Sequence, residues 1–232
     1  MRIGKGFFKT VTGAIAAVAI ASAITSAAQA AAVFSRTTLF GDADSGISTA
    51  NTYTARADFA GTGTRSINGV LFSDTDSTGF NYTLTGATNS YPNGSTNVTG
   101  QVGDATKDFF YGGNGHGDEI LTLTGLTIGQ EYLTTFYNMG WDPAGQRVQN
   151  LTATSYTGPN PYVYDEDEYG TGNGSKLMYQ FVATGTSEAI NFSAPDNTES
   201  QYLFTNQVVP EPVSAGLLLS GVGLLMMRRR VA

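Results

Sequence analysis

Short runs of alternating apolar and polar residues constrain the fold of this chain more than any other feature. They fill residues 31–209 and are separated by Gly, Asn, Asp or Pro. In "EILTLTGL", for example, Leu121 and Leu123 alternate with threonines. A period of two places one set of side chains on a buried face and the other in water. No segment has the sustained period of 3.6 residues that a long amphipathic helix requires. The pattern predicts an all-β fold, a two-sheet antiparallel sandwich of ten or eleven strands.

The predicted strands share this alternation and are bounded by turn residues. They are "AVFSRTTLF", "TYTARADFA", "INGVLFSD", "FNYTLTG", "DFFYGG", "EILTLTGL", "EYLTTFYNMGW", "QNLTATSYTG", "KLMYQFVATG", "AINFSA" and "QYLFTNQVV".

The N-terminus has the three parts of a secretory signal peptide. Arg2, Lys5 and Lys9 precede an apolar stretch over residues 11–24, and an Ala-x-Ala cleavage signal ends at Ala30. The apolar stretch is shorter than an ordinary membrane span. We therefore expect cleavage after Ala30, although an N-terminal membrane anchor is the alternative.

The C-terminus carries a second targeting pattern. Residues 213–227 form an apolar run, and Arg228–Arg230 follow it. As a helix the run would rise about 22 Å, against a hydrocarbon core of about 30 Å. This is adequate for a transient inner-membrane anchor, with the arginines on the cytoplasmic side. Pro210 and Pro212 keep the preceding chain extended.

The segment Val209-Pro210-Glu211-Pro212, a short apolar helix and a terminal arginine cluster together resemble the PEP-CTERM sorting signal of Gram-negative bacteria. The resemblance covers about 24 residues and implies recognition of Pro210, Glu211 and Pro212 by an exosortase-type processing enzyme. It also implies release or transfer to the cell surface, often together with exopolysaccharide. A plain single-pass anchor is the alternative. The predicted organisation is a signal peptide at 1–30, a β-sandwich at 31–208 and a sorting signal at 209–232.

Charge and cysteine content exclude several classes of function. Three of the twelve basic residues belong to the signal and three to the tail, whereas the tail holds one of the nineteen acids. The body therefore has a net charge near −12, which argues against nucleic-acid binding and suits calcium, cationic partners or neutral glycans. The absence of cysteine excludes disulfides, thiolate catalysis and cysteine-based zinc sites.

The middle of the chain, "LTLTGLTIGQEYLTTFYNMGWD", resembles the galactose-binding-like jelly rolls of surface proteins. In those domains a "GLTxGQxY" turn joins two core strands. Here Ile128 stands where such turns often have proline. The resemblance implies a jelly-roll sandwich and does not specify a ligand.

A cluster of aromatic and polar residues in "FYNMGWDPAGQRVQ" is the first candidate site. Sugars present C–H faces that stack on aromatic rings and hydroxyls that bond to amides, carboxylates or guanidinium groups. Tyr137, Asn138, Trp141, Asp142 and Arg147 supply these groups, so we expect carbohydrate binding here. The alternative is that Trp141 fills the core and Asp142 and Arg147 close the loop.

Four consecutive acids, Asp165, Glu166, Asp167 and Glu168, form the second candidate site. Their mutual repulsion would be relieved by a cation, and calcium prefers oxygen ligands on a flexible loop. The spacing is not that of an EF-hand loop, and a solvated acidic loop is the alternative.

Catalytic signals are weak. His116, the one histidine, lies between glycines, and the sequence has no Gly-x-Ser-x-Gly elbow. Eighteen acids allow many carboxylate pairs, so their presence does not identify a glycosidase. We therefore expect no enzyme and no cofactor other than calcium. The expected function is that of an exported cell-surface or matrix protein that binds extracellular polysaccharide. A secreted carbohydrate-active hydrolase and a purely structural coat component are the alternatives.

Overall fold

A computed structural model describes residues 31–61, 63–72, 81–112, 118–194 and 199–210. The expected cleavage site at Ala30, His116 and the tail from Glu211, including residues 213–227, lie outside these ranges. Pro210 is described and is exposed. Within the described ranges, no helix is both long and apolar enough to cross a membrane.

The described chain is almost entirely β-structure, as predicted. Its strands are β1 (Val33–Leu39), β2 (Tyr53–Asp58), β3 (Arg65–Ile67), β4 (Val70–Phe72), β5 (Tyr82–Thr85), β6 (Asn89–Tyr91), β7 (Phe109–Tyr111), β8 (Glu119–Thr124), β9 (Glu131–Met139), β10 (Val148–Ala153), β11 (Tyr162–Asp165), β12 (Gly174–Val182), β13 (Ser187–Ser193), β14 (Ser200–Gln201) and β15 (Leu203–Val208). A short helix α1 (Gly100–Ala105) and a 3₁₀ turn (Asp42–Asp44) complete the described secondary structure.

Two five-stranded antiparallel sheets form the sandwich. One has the order β1-β12-β9-β15-β2 and the other β11-β10-β13-β8-β5. Their inner faces meet in one core, where the rings of Phe136 on β9 and Phe192 on β13 lie 5.0 Å apart. A three-stranded sheet, β14-β7-β6, and the hairpin β3-β4 lie beside these sheets.

The alternation in the sequence accounts for the sheet faces. Leu121 and Leu123 on β8 are both fully buried, as are Leu177 and Tyr179 on β12. Threonines and charged residues occupy many of the intervening positions. The prediction of strands with one buried face is therefore confirmed for the main sheets.

The "GLTxGQxY" segment carries the chain from one sheet to the other. β8 and β9, on either side of it, lie in different sheets. The Tyr132 hydroxyl accepts the N–H of Thr127 at 2.9 Å, which holds this corner, and the ring of Tyr132 is buried. Ile128 points outward and is 64 % exposed.

The segment "INGVLFSD" was predicted as one strand, and this is wrong. Asn68 and Gly69 both have positive φ, 50° and 83°, so the chain reverses there and forms the hairpin β3-β4. Asn-Gly is the dipeptide that favours such a tight turn. The sequence patterns also missed β6, β11, β14 and α1, which are short and have few apolar residues or no clear alternation.

Candidate functional site

Two residues of the predicted sugar cluster lie in the interior. Tyr137 and Asn138, near the end of β9, are 2 % and 5 % exposed. The Asn138 amide donates to the Tyr164 hydroxyl at 2.9 Å, and the Tyr137 hydroxyl lies 3.5 Å from the Thr205 hydroxyl. In these positions neither Tyr137 nor Asn138 can contact a ligand at the surface.

Trp141 belongs to a packed aromatic cluster. Its ring centroid lies 5.5 Å from that of Phe109 and 5.0 Å from that of Tyr91, in both cases edge to face. The Arg147 guanidinium lies 5.9 Å from the indole and donates to the Asp142 carboxylate at 3.0 Å. These contacts match the alternative interpretation, in which Trp141 fills a gap and an ion pair closes the loop.

The acidic segment shapes the loop that carries Trp141. The Asp167 carboxylate accepts the backbone N–H groups of Trp141 and Asp142 at 2.6 and 2.9 Å. The Asp165 carboxylate accepts the N–H of Gly145 at 2.8 Å. The two candidate sites predicted from the sequence are therefore one structural unit, in which carboxylates replace missing backbone partners of the loop.

The other two acids of the segment have separate partners. Glu166 is buried and accepts hydrogen bonds from Gln149 at 2.8 Å and Tyr202 at 3.0 Å, and burial raises its pKa to about 8. Glu168 forms an ion pair with Arg36 at 2.6 Å. The four carboxylates thus face different partners. The described residues contain no group of three or more acidic or histidine side chains placed to hold a metal. Calcium binding by this segment stays a prediction.

A cleft of about 300 Å³ opens beside this unit, at the end of β1 where it meets β12. Phe40 is 70 % exposed here, and Tyr169 is half-buried. The residues that line the cleft carry no formal charge; they are Thr38, Leu39, Phe40, Asn97, Tyr169, Asn173 and Gly174. Its size is at the lower end of the range of small-molecule sites.

The backbone of Phe40 is held on both sides although its ring is exposed. The Asp44 carboxylate accepts the N–H groups of Phe40 and Gly41, at 3.1 and 2.8 Å. The Phe40 carbonyl accepts the N–H of Thr99 at 2.9 Å and the Thr99 hydroxyl at 3.0 Å. An exposed ring on a fixed backbone loses little conformational entropy when a ligand stacks on it.

Two asparagines form the polar part of the cleft. The Asn97 side-chain amide donates to Asn173 Oδ1 at 3.1 Å, and the Asn173 amide donates to the Tyr169 carbonyl at 2.6 Å. The Asn97 N–H also donates to the Gly172 carbonyl at 2.7 Å. An asparagine side chain has four hydrogen-bonding positions, and these contacts use only part of them. The cleft therefore combines aromatic faces with oriented, uncharged amides.

Sequence reasoning did not identify this cleft because its residues come from three distant segments. Phe40 ends a predicted strand, Tyr169 borders the acidic segment, and Asn97 and Asn173 are in Asn-x-Ser/Thr sequences. Each is ordinary in a chain rich in Asn, Thr and Tyr. Only the pairing of β1 with β12 brings residues 38–40 next to residues 173–174.

Comparison with known proteins shows the fold. The sequence matches no protein-family profile, and no curated protein matches it. The ANXUR2 extracellular domain from Arabidopsis thaliana superposes with a TM-score of 0.53 at 10 % identity, over 68 % of this chain and 49 % of that one. The ANX2 ectodomain from Arabidopsis thaliana gives 0.52 at 10 % identity, over 68 % and 50 %.

A structure of the plant peptide RALF23 in complex with FER and LLG2 matches with a TM-score of 0.53 at 11 % identity, over 69 % of this chain and 49 % of the matched chain. The protein spans about half the length of these chains. At this identity the likeness shows a β-sandwich fold shared with extracellular domains.

Proposed function

We propose that this protein is an exported, non-catalytic surface or matrix protein that binds a neutral extracellular polysaccharide in the cleft between Phe40 and Tyr169. The observation that carries the proposal is the exposed ring of Phe40 on a fixed backbone, facing uncharged amides. A sugar ring can stack its C–H face on Phe40 while its hydroxyls bond to Asn97 and Asn173.

The charge distribution supports a neutral ligand over an acidic one. The body of the protein has a net charge near −12, and none of the residues that line the cleft is basic. A polyanion would be repelled by the surface and would find no cation among the lining residues. A neutral glycan meets neither obstacle.

The route to the surface follows from the two ends of the sequence. A signal peptide ending at Ala30 would export the chain, and residues 213–227 would hold it briefly in the inner membrane of a Gram-negative cell. An exosortase-type enzyme would then act at Pro210, Glu211 and Pro212. A fold shared with extracellular domains supports export, although it does not bear on this route.

Binding to neutral polysaccharides on a glycan array tests the proposed ligand. We expect Phe40→Ala and Tyr169→Ala each to weaken binding about tenfold or more, as loss of a stacking ring should. Phe110→Ala is the matched control, since Phe110 is also partly exposed but lies on β7, away from the cleft. Equal affinity in all four proteins would contradict the assignment of the cleft.

Intact-mass measurement of protein extracted from the cell surface tests the route. We expect a chain that begins at Ala31 and has lost the segment after the Pro-Glu-Pro motif. A surface protein that retains its terminal arginines would disprove processing.

A further inference from the structure

A second site, separate from the cleft, lies where four segments meet beside Gly112, directly after β7. Glu119 begins β8 and Glu199 precedes β14, and these glutamates are 0 % and 1 % exposed. Gly86, which follows β5, lies so close that a Cβ there would clash with the Asp118 carbonyl and the Glu119 Cα. Two glycines thus let the backbone approach a pair of buried carboxyl groups.

Three oxygen atoms surround the point where a side chain on Gly112 would begin. A Cβ at that position would lie 3.5 Å from Glu199 Oε2, 3.7 Å from Glu119 Oε1 and 3.8 Å from the Gly86 carbonyl oxygen. Because residue 112 is glycine, no side chain projects among these oxygens. The donor set is two carboxylates and a backbone carbonyl, all of them hard oxygen ligands.

The carboxyl group of Glu119 has no hydrogen-bond partner among the described residues, at either oxygen. The Gln201 side chain and the Gly112 N–H lie near enough to lower its pKa, but neither meets hydrogen-bond geometry. Buried carboxyl groups without hydrogen-bond partners are rare, because the free-energy cost of removing the group from water is then not compensated by any hydrogen bond. A cation bound by these oxygens would supply the missing partner.

We propose that Glu119, Glu199 and the Gly86 carbonyl bind a calcium ion beside Gly112. Calcium prefers carboxylate and carbonyl oxygens and accepts water in its remaining positions, so it does not need a third acidic side chain. Zinc prefers nitrogen and sulfur ligands, and this donor set has neither. The net charge of the body, near −12, raises the local concentration of cations. The site ties β8 to the segments before β14 and after β5 and β7.

Other charged groups surround the proposed ligands. Glu119 is faced by Glu199 from the segment before β14 and by Glu166 from the turn after β11, and Arg147 lies beyond Glu166. Burial, which is the main cause, and the nearby Glu199 raise the pKa of Glu119 to about 8. A cation bound between Glu119 and Glu199 would offset the repulsion between them.

Calorimetry of the full-length chain, purified in mild detergent and titrated with calcium chloride to about 10 mM, tests the site, since extracellular modules bind calcium at roughly 0.1–1 mM. We expect a measurable heat of binding and a melting temperature that rises with calcium. Glu119→Gln, which replaces the carboxyl group with an amide of similar size, should weaken binding at least tenfold. Glu168→Gln, in the acidic segment, is the matched control and should bind as the wild type does.

Gly112→Ala gives a second test that does not alter charge. Its new Cβ would be in ordinary van der Waals contact at 3.5–3.8 Å, so the variant should fold, but the methyl group projects among the three oxygens and takes space that an ion bound to them needs. We expect it to lose binding. No heat of binding and no calcium-dependent stabilisation in the wild type would overturn the proposal. Unchanged binding in Gly112→Ala, or loss of binding in Glu168→Gln alone, would also overturn it.

Discussion

Replacing Glu166 with glutamine should change how stability depends on pH. Glu166 is buried, and desolvation is the main cause that raises its pKa from 4.5 to about 8, against the opposing effect of Arg147. The Tyr202 hydroxyl, which donates to Glu166 Oε1 at 3.0 Å, also opposes part of this rise.

The sign follows from proton linkage. In the unfolded chain Glu166 loses its proton near pH 4.5, whereas the folded protein keeps it until about pH 8. Between these values the folded state binds more protons, so the free energy of unfolding falls as the pH rises. The contribution is fully present below pH 4.5 and is lost by about pH 8. The slope is about 1.4 kcal/mol per pH unit for one group, or roughly 5 kcal/mol over the interval.

Urea denaturation between pH 5 and 8, followed by the fluorescence of Trp141, measures this slope. Calcium should be removed with a chelator. The wild type should lose up to about 2.7 kcal/mol per pH unit, because burial also raises the pKa of Glu119 to about 8. Glu166→Gln should lower the slope by about half, and Glu166→Gln combined with Glu119→Gln should abolish most of it.

The one histidine of the sequence is the natural control for this experiment. His116→Gln removes the histidine, so any difference between this variant and the wild type gives the part of the pH dependence that comes from His116. A wild-type stability that does not change between pH 5 and 8 would refute the reasoning, and so would a slope that is the same in Glu166→Gln. Either result would mean that Glu166 is ionised in the folded protein.

Three further tests, two of them with a matched control variant, concern the fold and the cleft. Gly86→Ala should destabilise the protein by about 3 kcal/mol or more in the same urea assay, because alanine is strained at this positive φ and its Cβ would clash with the backbone. Gly129→Ala is the control, since Gly129 also has a positive φ but no atom lies near its Cβ position; it should cost only about 1 kcal/mol. In thermal denaturation, Leu121→Ala should lower the free energy of unfolding by about 3 kcal/mol, because Leu121 is fully buried. Ile128→Ala, at an exposed position, should change it by no more than about 0.5 kcal/mol. Asp44→Ala should weaken glycan binding several-fold on the array, since it frees the backbone of the exposed ring, and a parallel melt should show that the domain stays folded.

Local pattern was enough to predict the fold class. Alternation in segments such as "EILTLTGL" and "AINFS" depends on which side chains avoid water, and this is a property of neighbouring residues along one strand. The sequence therefore predicted an all-β antiparallel protein, most of its long strands and the buried residues on them. It could not predict that "INGVLFSD" is a hairpin from apolar pattern alone, although its Asn-Gly pair was a usable signal.

The functional residues depend on contacts between distant segments. Trp141 and the acids at 165–168 were chosen for their chemical types, but those types serve equally well for packing and for satisfying a loop backbone, and here they do so. The cleft at Phe40 exists because β1 pairs with β12, and the oxygen cluster at Gly112 exists because Gly86, Glu119 and Glu199 approach it from other parts of the chain.

The sequence by itself determined the all-β class and the alternation of apolar and polar faces along strands such as β8, since a period of two follows from neighbouring residues. Only the tertiary structure decided which polar groups face a cleft and which are buried. Burial changes the pKa and the bonding needs of a carboxyl group, and burial is set by packing partners far away in the chain.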